Sequence, residues 1–229
     1  MNARQREIAS GASGAVGNRS ARLGLGFWSL VVTQFQGAFN DNALKFLVIY
    51  IIVDMGLPGP RRDWLVLVVG ALFALPFILF SMTGGYLADR FSKRSVTIGT
   101  KWMEVAAMLF VLVALGRGNL IMEAAGVFLL SSQGALFGPS KYGLLPELLP
   151  EKDLSWGNGV IELGTFLAAI SATVASGYLA FYFRGHQHWS GVFLLACTAI
   201  GLATSFGVTH LPAANPTRRF NVNPLGDLW

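Results

Sequence analysis

Charged residues and cysteine are both scarce in this sequence. Of its 229 residues, 13% are charged and 53% are hydrophobic, and there is one cysteine, Cys197. Soluble domains carry about twice that charged fraction, so we exclude a soluble globular domain. A single cysteine excludes an intrachain disulfide and leaves the redox compartment open.

Histidine is also rare, and its spacing excludes several chemistries. The three histidines and the one cysteine match no known metal-ligand spacing. No His-x-x-x-x-Asp acyltransferase motif and no glycine-rich phosphate loop before a helix is present. We therefore expect no metal, no cofactor and no catalysis in these residues.

The sequence does contain long apolar runs. Crossing a hydrocarbon core of ~30 Å takes about 20 apolar residues in a helix. Six segments qualify, and they are 27–53, 65–88, 96–116, 119–139, 158–182 and 189–210. The sequence predicts an all-α polytopic membrane protein: a disordered cytoplasmic tail over 1–26, a six-helix bundle over 27–210 and a cytoplasmic linker over 211–229.

The distribution of positive charge predicts the orientation. With a cytoplasmic N-terminus, twelve of the 17 Lys and Arg residues lie inside, four lie outside and Lys45 lies within the membrane. Positive residues accumulate on the cytoplasmic side of membrane proteins, so both termini are expected there. The net charge is +5, and the basic residues lie in tails and loops. We therefore do not expect nucleic acid as a partner.

The lengths of the links predict how the helices are grouped. Outer links near 117–118 and 183–188 are short, so helices three and four, and five and six, are expected as adjacent hairpins. The inner segment 140–157 is long and divides the six runs into unequal groups, whereas the fold that we expect divides them three plus three. Two inverted three-helix repeats are a common plan in transporters.

Polar residues interrupt the first apolar run. They are Gln34, Asn40, Asp41, Asn42 and Lys45. A charge near mid-membrane costs ~2.5–3.5 kcal/mol, so it must face protein or water. Asp41 and Lys45 are four residues apart with the acid first, which favours an intrahelical pair. Two interpretations stay open: the pair neutralises itself, or the patch binds a polar substrate.

Three further features bear on packing and binding. Lys101 and Glu104 are three residues apart and are expected to pair. Small and hydroxyl residues recur along the fifth run, which predicts close helix packing. Glu123, near the outer end of the fourth run, is compatible with a place in a cavity or in solvent.

The loop after the second run, GGYLADRFSKRSVTIG, carries the most specific motif. Its key residues are Gly85, Asp89, Arg90, Lys93 and Arg94. One interpretation is a charge cluster that only sets topology. The loop also resembles the Gly-x-Leu-Ala-Asp-Arg-x-Gly-Arg-Lys signature of the major facilitator superfamily, with Ser92 at the second glycine. The resemblance implies that Asp89 and Arg90 latch two transporter halves on the cytoplasmic side.

A second superfamily pattern is half present in the fourth run. Many proton-coupled members carry Arg-x-x-Gln-Gly there, and this sequence has Gln133 and Gly134 with Leu130 at the arginine position. We therefore do not expect an antiporter that relies on that arginine.

Two further stretches resemble the bacterial lysophospholipid transporter family. One is AFNDNALKF and the other is GPSKYGLLPELLPEKDLSWGNGVIELGTFLAAI, over residues 138–170. The residues that carry the match in the second stretch include Pro139, Lys141, Tyr142, Glu147, Asn158 and Glu162. The resemblance implies a transporter that flips lysophospholipids across the bacterial inner membrane for re-acylation, with Asp41 and its neighbours at the headgroup. Some family members are fused to acyltransferase domains, which leaves such a domain possible beyond residue 229.

Six helices are half of the usual twelve of that superfamily. We expect the N-terminal half of a longer protein, whose partner is the second six-helix half; the rival is a half-transporter that works as a homodimer. The bilayer and a lysophospholipid, or another small molecule, are the other partners. Alternative functions are a facilitator for a sugar or drug and a non-transporting membrane scaffold.

Overall fold

The described part of the chain forms six long helices. The computed structural model describes the backbone of residues 3–210, 212, 213 and 215, and side chains from residue 24 onward. The helices are α1 (Ala3–Asp54), α2 (Gly59–Arg90), α3 (Lys93–Arg117), α4 (Leu120–Leu148), α5 (Leu154–Tyr182) and α6 (His188–Ser205), with a 3-10 turn at Glu151–Asp153 before α5. Each of the six predicted apolar runs lies in its own helix, which confirms the all-α class.

Local sequence explains where α3 and α4 begin and end. The side chain of Ser92 accepts a hydrogen bond from the backbone N–H of Ser95, and Asn119 accepts one from Met122 at 3.1 Å. Such N-caps satisfy backbone donors that a helix start leaves open. Gly118 ends α3 in the left-handed conformation, with φ of 58°, which glycine adopts without steric cost. The two helices are therefore joined by a two-residue turn.

The outer surface of the bundle is apolar. Ile78 and Ile121 are 77% and 82% exposed, and large aliphatic and aromatic side chains stay exposed along the helices. Of the described residues, α2 to α6 contain stretches long and apolar enough to cross a membrane. The polar residues of α1 keep it below that threshold, although it lies at the centre of the bundle. An apolar exterior around a partly polar interior identifies a multi-pass membrane protein.

The N-terminal tail differs from expectation. We expected disorder over residues 1–26, and the backbone of residues 3–26 is instead helical and continuous with the rest of α1. The segment has no proline, and its alanine, arginine, glutamine and glutamate favour helix. The predicted linker 211–229 lies outside the described residues except for 212, 213 and 215.

The packing of the helices has the symmetry of an inverted repeat. The two most extensive interfaces are α1 with α5 and α4 with α2. If α1, α2 and α3 are exchanged with α4, α5 and α6, the α1–α5 interface becomes the α4–α2 interface. The same exchange converts the α3–α4 interface into the α6–α1 interface. Because each repeat has three helices, the second crosses the membrane in the opposite sense. The predicted three-plus-three plan is therefore present.

One hairpin prediction is confirmed and the other is wrong. α3 and α4 pack along their length, whereas α5 and α6 make little mutual contact. Both pack on α1, which separates them, and Ser176 of α5 donates a hydrogen bond to the backbone oxygen of Ala43 at 2.8 Å. A short link fixes only the ends of two helices. Close packing along α5 was predicted correctly, with α1 as its partner.

Two ion pairs follow the same symmetry at opposite ends of the bundle. Glu147, at the end of α4, pairs with Lys93 at the start of α3. Asp54, at the end of α1, pairs with Arg184 in the α5–α6 link. In each pair, the acidic residue lies in the last turn of the first helix of one repeat. The basic residue lies at the junction between the second and third helices of the other repeat. The first pair is largely buried and the second is exposed.

A polar layer separates two apolar parts of the core. One apolar cluster includes Leu44, Leu47 and Val111, and the other includes Phe27 and Leu144. The polar layer between them consists of Gln36, Asn40, Lys101, Glu104 and Thr198, all at most 6% exposed.

The close approach of α2 to α4 predicts an effect of replacing Gly84 by alanine. A Cβ at Gly84 would lie 3.0 Å from the backbone oxygen of Ala135 and 3.2 Å from Cα of Leu136. Backbone atoms cannot move aside cheaply, so Gly84→Ala should destabilise the protein by about 1–3 kcal/mol. Gly85→Ala is the matched control, because nothing lies within 4 Å of a Cβ there. Thermal unfolding of the purified variants measures the difference; equal unfolding temperatures would contradict this packing.

Candidate functional site

A polar cavity opens between the two repeats. It has a volume of about 400 Å³ and is lined by residues of α1, α2, α4 and α5, together with Lys101 of α3. Three rings, Phe73, Phe77 and Phe137, contribute apolar wall, and Gln34 and Asp41 contribute polar wall from α1. The cavity therefore combines ionisable groups with aromatic surface.

Asp41 lies deepest on the α1 side of this cavity and faces α4. Gln133 donates a hydrogen bond to its carboxylate at 3.4 Å. A Cβ at Gly134 would lie only 2.8 Å from Oδ2 of Asp41, so the glycine makes room for the carboxylate. The Gln-Gly pair of the fourth run thus positions Asp41, although no arginine precedes it.

Lys45 has partners other than the predicted one. Its ammonium donates to Oδ1 of Asn42 at 2.9 Å and lies 4.2 Å from the ring centroid of Phe73 and 4.5 Å from that of Phe46. In the described structure Asp41 and Lys45 form no direct ion pair, since Lys45 donates to Asn42 and Asp41 accepts from Gln133. Lys45 does not line the cavity, whereas Asn42 does.

The end of the cavity towards residue 141 is built from α4 and α5. Lys141 lines it and lies 4.3 Å from the ring centroid of Tyr142. The Tyr142 hydroxyl donates to Glu162 at 2.6 Å, which joins α4 to α5. Gln34 donates to the hydroxyl of Thr165 at 3.0 Å. Lys141 thus lines the same cavity as the oppositely charged Asp41.

Asn40 does not belong to the cavity. Its amide donates to Glu104 at 3.2 Å, to the backbone oxygen of Leu194 at 3.1 Å and to Thr198 at 2.7 Å. It turns towards the polar layer because it lies on a different face of α1 from Asp41. The predicted Lys101–Glu104 pair is confirmed, with 2.6 Å between Nζ and Oε2.

Glu123 lies in neither of the predicted places. It is 2% exposed and does not line the cavity. It lies in the first turn of α4, where a helix favours negative charge. Its Oε2 has no hydrogen-bond partner in the described part of the chain.

The signature residues gather at the α2–α3 link. Arg90 donates to the Tyr86 hydroxyl, Arg94 donates to the backbone oxygen of Phe206 at 2.9 Å, and the backbone oxygen of Asp89 accepts from Asn215 at 2.8 Å. Arg94 therefore ties the link to the end of α6. The latch between two transporter halves remains a prediction.

Three other residues of the motifs do not line the cavity. Gly85 has open space around it, Pro139 lies inside α4 and Asn158 is exposed on α5. Of the described residues, no three His, Cys, Asp or Glu side chains come together as a metal site would require.

Sequence reasoning missed Gly37, Gly84 and the aromatic walls of the cavity. Phe73 and Phe77 lie four apart on α2, as many packing residues do, so nothing distinguished them. Gly37 lies one turn from Asp41 in the interrupted apolar run, and that position was the available signal.

Two inverted three-helix repeats around a polar cavity define a membrane protein of the type that forms one half of a transporter. The family model of the Major Facilitator Superfamily matches residues 24–224. The chain therefore belongs to the Major Facilitator Superfamily.

Similar proteins narrow the comparison within that superfamily. The chain is 29% identical over 204 residues to the protein named Lysophospholipid transporter LplT from Salmonella schwarzengrund, an alignment that covers 87% of this chain and 47% of the relative. It is 31% identical over 195 residues to the protein of the same name from Salmonella arizonae, covering 83% and 45%. The chain thus spans about half the length of the curated relatives that it matches.

The fold is also similar to solved structures. A crystal structure of the peptide transporter POT in complex with alafosfalin superposes with a TM-score of 0.67 at 18% identity, covering 84% of this chain and 41% of the other. A further POT family transporter gives a TM-score of 0.61 at 15% identity, covering 83% and 40%. These similarities concern the fold.

Proposed function

We propose that this chain forms a six-helix half of a transporter that moves lysophospholipids across the bacterial inner membrane. The observation that carries the proposal is a single cavity lined by Asp41, Lys101 and Lys141. Gly134 contacts Asp41, and Lys141 follows seven residues later on α4, so these two backbone positions are about 10 Å apart along the helix. A zwitterionic headgroup presents its ammonium to Asp41 and its phosphate to a lysine of the cavity wall.

The aromatic wall suits the same substrate. Phe73, Phe77 and Phe137 line the cavity, and Phe77 is 43% exposed. A lysophospholipid joins a charged headgroup to one acyl chain, so it needs polar and apolar surface in contact.

The proposal includes a second six-helix half as the partner that closes the cavity. Polar groups inside a membrane must face protein or water, and Gln34, Asp41 and Asn42 line an open cavity. In the proposed arrangement both termini are cytoplasmic, Asp89 and Arg90 latch the halves, and the chain transports without catalysing a reaction.

The test is uptake of labelled lysophosphatidylethanolamine into spheroplasts. We expect uptake by the protein in its full native length and none by residues 1–229 alone, since the cavity would then lack its second wall. Membrane insertion is checked in parallel by immunoblotting of the membrane fraction. Uptake by residues 1–229 alone would favour a homodimer, and no uptake by correctly inserted full-length protein would contradict lysophospholipid transport.

A further inference from the structure

Lys101 reaches the cavity from a helix that contributes no other residue to it. The side chain starts on α3, is 1% exposed, and still forms part of the cavity wall. The rest of the wall comes from α1, α2, α4 and α5. Its ammonium therefore links the buried polar layer to the cavity.

A gap in α1 makes this reach possible. A Cβ at Gly37 would lie 2.9 Å from Nζ of Lys101, closer than such atoms normally approach. The ammonium thus lies against the backbone of α1 at a residue without a side chain. Gly37 is one helical turn before Asp41, and both residues line the cavity.

The hydrogen bonds of Lys101 fix its position and leave one donor over. Nζ donates to Oε1 of Gln36 at 2.8 Å and to Oε2 of Glu104 at 2.6 Å. An ammonium has three N–H donors, so one remains within the described part of the chain. Glu104 is itself held by Gln36 at 2.9 Å and by Asn40. The lysine is therefore pre-positioned, and it needs no rearrangement to bind a ligand oxygen.

We propose that Lys101 is an anion-binding residue of the cavity, that its free N–H takes a phosphate oxygen, and that Gly37, which has no side chain, is the specificity-determining residue that leaves room for this contact. Identifying this phosphate as that of a lysophospholipid rests on the proposed function. A free phosphate has the same chemistry, so the experiment includes both. Charge-assisted hydrogen bonds between an ammonium and a phosphate are among the strong ones.

The choice of variant follows from the buried pair. Lys101→Met would leave Glu104 buried without its cation and is expected to misfold. Gly37→Ala is preferable, because the atom it displaces is the end of a flexible side chain and the added methyl group covers the ammonium. Gly138→Ala is the matched control: Gly138 lines the same cavity from α4, and nothing lies within 4 Å of a Cβ there.

The experiment measures binding to purified wild-type, Gly37→Ala and Gly138→Ala proteins. The probes are lysophosphatidylethanolamine, glycerophosphoethanolamine, inorganic phosphate and, as a phosphate-free lipid, monoacylglycerol. We expect Gly37→Ala to weaken binding of the phosphate-bearing probes roughly 10- to 100-fold, the effect of one hydrogen bond to a charged group. Monoacylglycerol binding should not change in Gly37→Ala. Gly138→Ala adds the same methyl group to the cavity wall without displacing Lys101, so it should not distinguish the phosphate-bearing probes from monoacylglycerol.

The outcomes separate this inference from the proposed function. If lysophosphatidylethanolamine binds all three proteins equally, the role of Lys101 is overturned and the proposed function stands. If inorganic phosphate binds in a Gly37-dependent way and the lipid does not bind, the anion site stands and the proposed function fails. Equal weakening of monoacylglycerol would show a steric effect and overturn the inference, and no binding of any phosphate-bearing probe would overturn both.

Discussion

Asp41→Asn is expected to reduce uptake of lysophosphatidylethanolamine by roughly 10- to 100-fold, which corresponds to the loss of about 1.5–3 kcal/mol from a hydrogen bond to a charged group. Asparagine has nearly the same shape and can keep its contact with Gln133. Only the negative charge is lost, so the amount of protein in the membrane should stay near that of wild type.

Two comparisons make this result specific. Lysophosphatidylglycerol lacks the ammonium that Asp41 is proposed to bind, so its uptake should be much less affected by Asp41→Asn. Glu123→Gln neutralises another buried carboxylate of the bundle, one that does not line the cavity, and should leave uptake of both lipids unchanged. Wild-type uptake of lysophosphatidylethanolamine by Asp41→Asn would remove Asp41 from the headgroup site.

Glu104→Ala is expected to cause the largest loss of stability. The Glu104 carboxylate accepts from Lys101, Gln36 and Asn40, and both members of the ion pair are at most 1% exposed. Removing it leaves the Lys101 ammonium buried without a counter-ion, which typically costs about 3–5 kcal/mol. The measurement is thermal or denaturant unfolding of the purified protein in detergent.

This prediction has two controls: one variant removes both charges of the buried pair, and another breaks an ion pair that is exposed to solvent. Glu104→Gln combined with Lys101→Met leaves no isolated ion and should recover much of the lost stability. Asp54→Ala breaks the pair with Arg184, whose members are 46% and 66% exposed, and exposed pairs contribute about 0–1 kcal/mol. If Glu104→Ala and Asp54→Ala had equal effects, the polar layer would not stabilise the bundle in the way proposed here.

The fold could be predicted from the sequence because lipid imposes simple requirements on a chain. Apolar length alone located all six helices, whereas the three-plus-three plan came from a common plan of transporters and not from the links. The α5–α6 hairpin was predicted wrongly because a link of a few residues constrains helix ends only. What separates α5 from α6 is α1, a contact between distant parts of the chain that no local pattern contains.

The site was predicted less completely, for a related reason. Asn40 and Asp41 are adjacent and point about 100° apart on the helix, and of these two only Asp41 lines the cavity. Which of them does depends on where α3 and α6 lie, and sequence spacing does not give that. The pair of Asp41 with Lys45 followed a rule for isolated helices, whereas Phe73 of α2 and Asn42 are the partners that Lys45 has. Lys101 and Glu104 were paired correctly because both lie on one helix.

The polar layer also affects the order in which the protein can be assembled in the membrane. Asn40 of α1 depends on Thr198 of α6, which lies 158 positions later in the chain. At a synthesis rate of about 5–20 residues per second, α6 emerges roughly 8–30 s after α1. Until then the amides of α1 lack their final acceptors, while α1 is the least apolar of the six helices. The first helix to be synthesised is therefore among the last to reach its final packing. Until α6 is in place, the polar groups of α1 must be hydrated by water, held by the insertion machinery or bonded to polar residues of α3.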